Sequence, residues 1–191
     1  MKRMILIDGN SLMYRAYFGI ADTSTLKPNS KGVFTNAIMS FARMMNHILQ
    51  EQFDNILVAF DAGKHTFRHD IMTDYKAGRA HMPEEMRMQI AHIKNLLDLL
   101  GVKRYEVALY EADDIIGTMA KKAEGEGYHV DIYSSDKDLL QLITDNTTVH
   151  LTKKGLTDLE DYTPSHFEEV YGIKVPQFID LKALMGDKSD N

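Results

Sequence analysis

The chain has 191 residues, of which 44% are hydrophobic and 26% charged. That is enough for one compact domain with a sizeable core, and it excludes wholesale disorder. There is no cysteine, which excludes a disulfide framework, thiolate-held zinc or iron–sulfur, and a thiol nucleophile. Lys and Arg number 22 against 28 Asp and Glu, a net charge of −6, which argues against nucleic-acid binding through an all-basic surface.

In chain order, the apolar run 4–7 is cut by Asp8 and is too short for a signal-peptide core or a membrane span. A soluble, cytoplasmic protein is therefore expected. The run reads as a buried strand, with Asp8-Gly9-Asn10 as the turn after it. Helical spacing of Phe34, Ala37, Ile38, Phe41, Met44, Met45 and Ile48 predicts an amphipathic helix over 33–51. A second buried strand, 55–60, also ends in an acid, Asp61. Pro83 with Glu84 and Glu85 opens another helix, which Gly101 stops. A weaker strand over 102–107 precedes a helix over 111–126. Next come a strand 130–133, the connection Ser134-Ser135-Asp136-Lys137-Asp138, a short helix 139–143, a strand near 149–151, and helical character from Pro164 onward. Strands alternating with helices predict an α/β fold: a mainly parallel central sheet flanked by helices. Ligands of such sheets bind beyond the carboxyl ends of the strands, where Asp8, Asp61 and Asp136 would converge.

Nine acids stand out: Asp8, Asp61, Glu111, Asp113, Asp114, Asp136, Asp138, Asp187 and Asp190. Acids at helix starts are common caps, and Asp136 and Asp138 taken alone suit a turn, as do Ser134 and Ser135. Three strand-end acids together with three closely spaced pairs go beyond capping. Carboxylates this crowded repel one another, and divalent cations remove the conflict. Oxygen-only ligands favour Mg²⁺ or Mn²⁺, with two sites expected. Setting the nine aside leaves 22 basic residues against 19 acids, so the acidic total does not exclude a nucleic-acid substrate.

Residues 62–82 change character. Lys64, Arg68, Lys76 and Arg79 are interleaved with Phe67 and Tyr75, a pattern in which cations track phosphates and rings stack on bases of a single strand. His65 and His69 stand four apart, but no third ligand or following Glu makes a zinc motif. There is no P-loop, no G-x-G-x-x-G and no G-x-S-x-G. An acid-phosphatase-like enzyme with Asp8 as nucleophile is disfavoured by Asn10, where a second acid is wanted.

These residues fall into seven ordered blocks: residues 6–12 with 14–18, Phe60-Asp61, Thr66-Phe-Arg-His69, Tyr75-Lys-Ala77 with Arg79, Tyr110-Glu-Ala-Asp-Asp114, Ser135-Asp-Lys-Asp-Leu-Leu-Gln141, and Leu184-Met-Gly-Asp-Lys-Ser-Asp-Asn191. In these blocks the chain resembles the 5′ nuclease (flap endonuclease-like) family, and most closely the N-terminal 5′–3′ exonuclease domain of bacterial DNA polymerase I. The resemblance implies a metal-dependent phosphodiesterase acting in replication and repair on DNA or RNA with a free 5′ end, including 5′ flaps. It further implies products with a 5′-phosphate and a 3′-hydroxyl, and a polymerase domain in the parent protein. By the same resemblance Asp8, Asp61, Glu111 and Asp113, with Asp114 adjoining, surround a first metal, and Asp136, Asp138, Asp187 and Asp190 a second. Asp8, Asp61, Asp113 and Asp136, with Lys76 and Arg79, would be catalytic. Arg68, Tyr75, Lys76 and Arg79 would hold the strand, with 62–82 matching the family's arch. Asp70, Leu109 and Ser135 depart from the family's frequent Glu, Gly and Gly. The family continues into a helix-hairpin DNA-binding element that is expected to be missing here, which leaves a structure-specific binding domain with little catalysis as the alternative.

Overall fold

The computed structural model describes residues 2–19, 27–63, 65–78, 81–154 and 158–186. Six strands form one sheet in the order β3-β2-β1-β4-β5-β6: β1 (Lys2–Asp8), β2 (Asn55–Ala59), β3 (Lys103–Tyr105), β4 (Tyr128–Ser134), β5 (Thr147–Lys154) and β6 (Asp158–Tyr162). All neighbours pair in parallel except β5 and β6. The expected α/β architecture is therefore the observed one.

β1 runs down the middle, and Ile5, Leu6 and Ile7 are wholly buried. An apolar run without alternation is what a parallel strand covered on both faces requires. Each such side chain contributes about 1.5–3 kcal/mol. Leu6, Val130 and Ile132 pack beneath α5 (Ala112–Gly125), through Ile115, Ile116 and Ala120. On the other face Ile5, Ile7, Val58 and Tyr133 meet α1 (Gly9–Phe18), α2 (Asn36–Ile48) and α4 (Glu84–Leu99). α2 lacks a side-chain cap of its own. The fully buried Gln89 of α4 replaces it, its Oε1 accepting the Ala37 and Ile38 N–H groups at 2.9 and 3.2 Å. The short helix α3 (Phe67–Ile71) lies beside the sheet edge. α6 (Pro164–Tyr171) and α7 (Phe178–Met185) close the chain, with Phe167 against Phe178 at 5.3 Å. No helix among the described residues is long and apolar enough to cross a membrane.

Three elements differ from expectation. Residues 8–10 open α1 instead of forming a turn, because Asp8 caps the helix by accepting the Ser11 N–H at 2.9 Å. The helical stripe Leu12, Met13, Ala16 and Tyr17 is buried behind it. β6 was not expected: Asp158, Glu160 and Asp161 give it no apolar alternation, and it is recruited as an antiparallel edge by its partner. The helix expected at 139–143 is a 3₁₀ turn over Lys137–Leu142, begun by the Asp136 side chain.

Candidate active site

The carboxyl ends of β1, β2 and β4 and the amino end of α5 meet at one edge of the sheet. β1 delivers Asp8 there, buried with 4% exposure. Its Oδ1 accepts the Ser11 N–H at 2.9 Å and its Oδ2 the Ser134 hydroxyl at 2.9 Å. Asp61 follows β2, and its Oδ1 accepts the Ala112 N–H at 2.7 Å, which ties β2 to the first turn of α5. Asp136 leaves β4, donating its N–H to Ser134 Oγ at 2.9 Å and accepting the Asp138 N–H at 2.8 Å. Asp113 projects from α5.

Asp8 and Asp113 both feel the charges of Asp61 and Asp136. Burial pushes the Asp8 carboxyl well above the usual carboxylate range. The Ser11 and Ser134 hydrogen bonds oppose the shift, and the charges of Asp136 and Asp61 add to it. Asp113 is raised likewise, first by burial, then by Asp8, Asp136 and Asp61, with Lys76 opposing. Of the nine acids, the structure brings Asp8, Asp61, Asp113 and Asp136 close enough for their charges to act on Asp8 and Asp113.

The other predicted acids are placed differently. Asp114 turns away from the crowd: both of its oxygens take the Arg68 guanidinium, each at 2.7 Å, and Oδ2 also accepts the Glu111 N–H at 3.0 Å. Arg68 holds the Asp114 carboxyl below its ordinary range. Glu111 is 7% exposed and ion-paired with Lys76 at 2.9 Å, with the Tyr75 hydroxyl donating to it at 3.2 Å. Asp138 pairs with Lys182 of α7 at 2.8 Å. Among the described residues, no three acids or histidines are set, as their side chains stand, to hold one ion. Asp187, Asp190, Arg79 and Lys64 lie outside the described residues.

The basic segment meets the start of α5, pairing Lys76 with Glu111 and Arg68 with Asp114, and the Lys76 charge acts on Asp113. Thr66 bridges to Leu109, α3 follows, and residues 73–78 are turns, so among the described residues of 62–82 only α3 is helical. Lys76 adopts a φ of 57°, a strained conformation for a side chain that reaches acids. Its Nζ lies 5.1 Å from the Tyr75 ring centre, and the Arg68 guanidinium lies 4.6 Å from that of Phe67. His69 serves as a cap, its Nδ1 accepting the Thr66 N–H at 3.1 Å, while His65 pairs with Asp70 at 2.9 Å. Leu109 holds a φ of 70°, in the left-handed region that glycine enters without strain.

Sequence reasoning missed Ser134, taking it for a turn former. It ends β4, is wholly buried and joins Asp8 to Asp136. The available signal was register: Ile7 pairs with Tyr133, which sets the next residues, Asp8 and Ser134, side by side.

Comparison with known proteins agrees with this fold. Residues 3–172 match the family model of the 5′-3′ exonuclease, N-terminal resolvase-like domain. DNA polymerase I of Bacillus subtilis is 52% identical over 191 residues, covering 100% of this chain and 21% of the relative. The thermostable DNA polymerase I of Thermus aquaticus is 43% identical over 189 residues, covering 99% and 22%. The chain thus spans about a fifth of the length of these relatives. Among solved structures, T5 5′-exonuclease with divalent zinc ions bound superposes with a TM-score of 0.74 at 25% identity, covering 100% of this chain and 69% of the other. Flap endonuclease-1 from Methanococcus jannaschii shares the fold, with a TM-score of 0.62 at 20% identity over 98% and 65%.

Proposed function

The chain belongs to the 5′–3′ exonuclease family, and we propose that it hydrolyses phosphodiester bonds of DNA or RNA bearing a free 5′ end, including 5′ flaps, with Mg²⁺ or Mn²⁺. One observation carries this reading: four carboxylates from four separate elements crowd at the strand ends, and burial and mutual repulsion raise two of them, Asp8 and Asp113.

That donor set fits hard divalent ions. It offers only carboxylate oxygens, and its excess negative charge is what a divalent cation offsets. Asp8, Asp61, Glu111 and Asp113 would hold one ion, and Asp136 and Asp138, with Asp187 and Asp190, a second. Ions held there supply positive charge to a scissile phosphodiester and acidify water. The chain's own groups do the rest. Lys76 keeps a cation at the rim of the cluster, where negative charge develops on the phosphate. Arg68 and Tyr75, with Arg79, hold the 5′ strand through phosphate contacts and stacking. Asp114 acts as a strut, fixing Arg68 against the start of α5.

A second reading, binding of branched or single-stranded DNA with little cutting, draws on the pairing of Glu111 with Lys76 and of Asp138 with Lys182: both acids are already neutralised from within the chain. One assay separates the two. A 5′-labelled flap and a 5′-labelled single strand are incubated with the protein in Mg²⁺, in Mn²⁺ and in chelator. Cutting with either ion that is abolished by chelator supports the nuclease. Hydrolysis in chelator refutes the metal mechanism, and retention of the flap without cleavage supports the second reading.

A further inference from the structure

We propose that Ser134 is a positioning residue whose hydroxyl fixes the spacing between Asp8 and Asp136, and through that spacing the affinity of the site for a divalent cation; this rests on the nuclease reading above. Ser134 is wholly buried at the last position of β4. Its one hydroxyl hydrogen has a determined direction. The Asp136 N–H, which can only donate, points at Oγ at 2.9 Å. A carboxylate can only accept, so the hydroxyl gives its own hydrogen to Asp8 Oδ2, also 2.9 Å away. A single atom thus couples an acid on the central strand to the backbone of an acid leaving the next strand.

The other oxygen of Asp8 is held by the Ser11 N–H at 2.9 Å, so the carboxylate is pinned at both ends. Pinning matters because Asp8 lies among like charges, which press it toward other rotamers. Ser11 is tied to the same corner: its Oγ accepts the Ser135 N–H at 2.7 Å. The start of α1 and the exit of β4 are therefore stitched together around Asp8. Groups that orient ligating side chains in this way commonly alter metal affinity about 10–100-fold when removed.

The test is Mn²⁺ titration by electron paramagnetic resonance on the 191-residue chain, with wild type, Ser134→Ala, Ser134→Cys, Asp8→Asn and the Asp8→Asn/Ser134→Ala pair. Cys keeps the buried volume with a weak donor, so it reports on the bond even if Ala fails to fold. Wild type is expected to bind Mn²⁺. Ala and Cys should weaken binding about 10-fold or more with the melting profile in chelator still cooperative, and raised Mn²⁺ should restore their hydrolysis. In the Asp8→Asn background Ser134→Ala should weaken binding much less than it does in wild type. Wild-type affinity in Ser134→Cys and in any folded Ser134→Ala overturns the proposal while leaving the nuclease reading standing, and so does an equal effect with and without Asp8. Failure of wild type to bind Mn²⁺ sinks the metal reading, and this role with it.

Discussion

Gly9 sets how closely α1 can follow β1, and replacing it with Ala opposes two physical effects. Intrinsic preference favours alanine: a helical Gly→Ala change gains at most about 1 kcal/mol. Gly9 does not have a positive φ, so no conformational need for glycine offsets that gain. Space decides otherwise. A Cβ at position 9 would lie 2.5 Å from Phe60 Cζ, 2.6 Å from Cε1 and 2.9 Å from the Ala59 carbonyl oxygen. Comfortable carbon contacts begin near 3.5 Å, so about 1 Å must be recovered. The Phe60 ring is packed in the core at 1% exposure, and Ala59 is paired backbone of β2. Overpacking of this kind costs about 1–3 kcal/mol, and the backbone contact places it at the upper end. Net of the propensity gain, the loss is about 2 kcal/mol, or roughly 4–8 °C in Tm for a domain of this size. Gly117→Ala is the control: in the middle of α5 its Cβ would meet Leu142 Cδ2 at 3.5 Å, an ordinary contact. It should raise Tm by roughly 2–4 °C. Calorimetry of both variants in chelator decides the matter, and a Gly9→Ala chain melting at or above the wild-type temperature refutes the packing argument.

Asp113 yields a pH prediction. Its carboxyl is raised in the folded chain, so its contribution is fully present below the unfolded value of about 3.9 and is lost as pH climbs toward the folded value. In chelator, wild-type Tm should fall between about pH 5 and 8, whereas Asp113→Asn should fall less and melt higher at the alkaline end. Parallel pH curves for the two chains would contradict it. Leu109 yields another. At a φ of 70° a β-branched residue is more strained than Leu, so Leu109→Val should lose about 1–2 kcal/mol in urea unfolding while Leu109→Gly loses nothing. Equal stability of the Val and Leu chains would show that the strain is relieved elsewhere.

The legible part of the fold was its apolar grammar. Residues 4–7 and 130–133 could only be strands buried on both faces, and each delivered an acid or its neighbour to the same edge. What escaped the sequence was polar. α1 begins at Asp8 because a side-chain oxygen takes the Ser11 N–H, and Asp-Gly-Asn looks the same whether it caps a helix or makes a turn. β6 lacks alternation and exists through its partner. Nine acids stand out together in the sequence, but which of the described ones face one another is not written there. Asp114 resembles its neighbour Asp113 in sequence, yet one helical position turns it to Arg68 instead of to the crowd. Such choices depend on which cation a distant segment brings within reach, and spacing along the chain does not carry that information.

The fold treats two buried acids in opposite ways. Asp131, 2% exposed, lies inside the sheet. Burial works to raise its carboxyl, but hydrogen bonds from His150 at 2.9 Å and Arg3 at 2.6 Å outweigh it, and it ends below its ordinary range. Asp8 is buried to the same degree, receives two hydrogen bonds from neutral groups, and ends above it. The fold is therefore able to match a buried carboxylate with cations, and at Asp8 it does not. Nor does the fold need the charge there. Asn or Ser caps a helix about as well as Asp, and either would accept the Ser11 N–H without the desolvation and repulsion that raise Asp8. A neutral side chain here would keep the helix cap but not both oxygens that accept the Ser11 N–H and the Ser134 hydroxyl; on the proposed reading the charge serves a bound cation. A cation held there, as proposed, would turn the position from unfavourable to favourable.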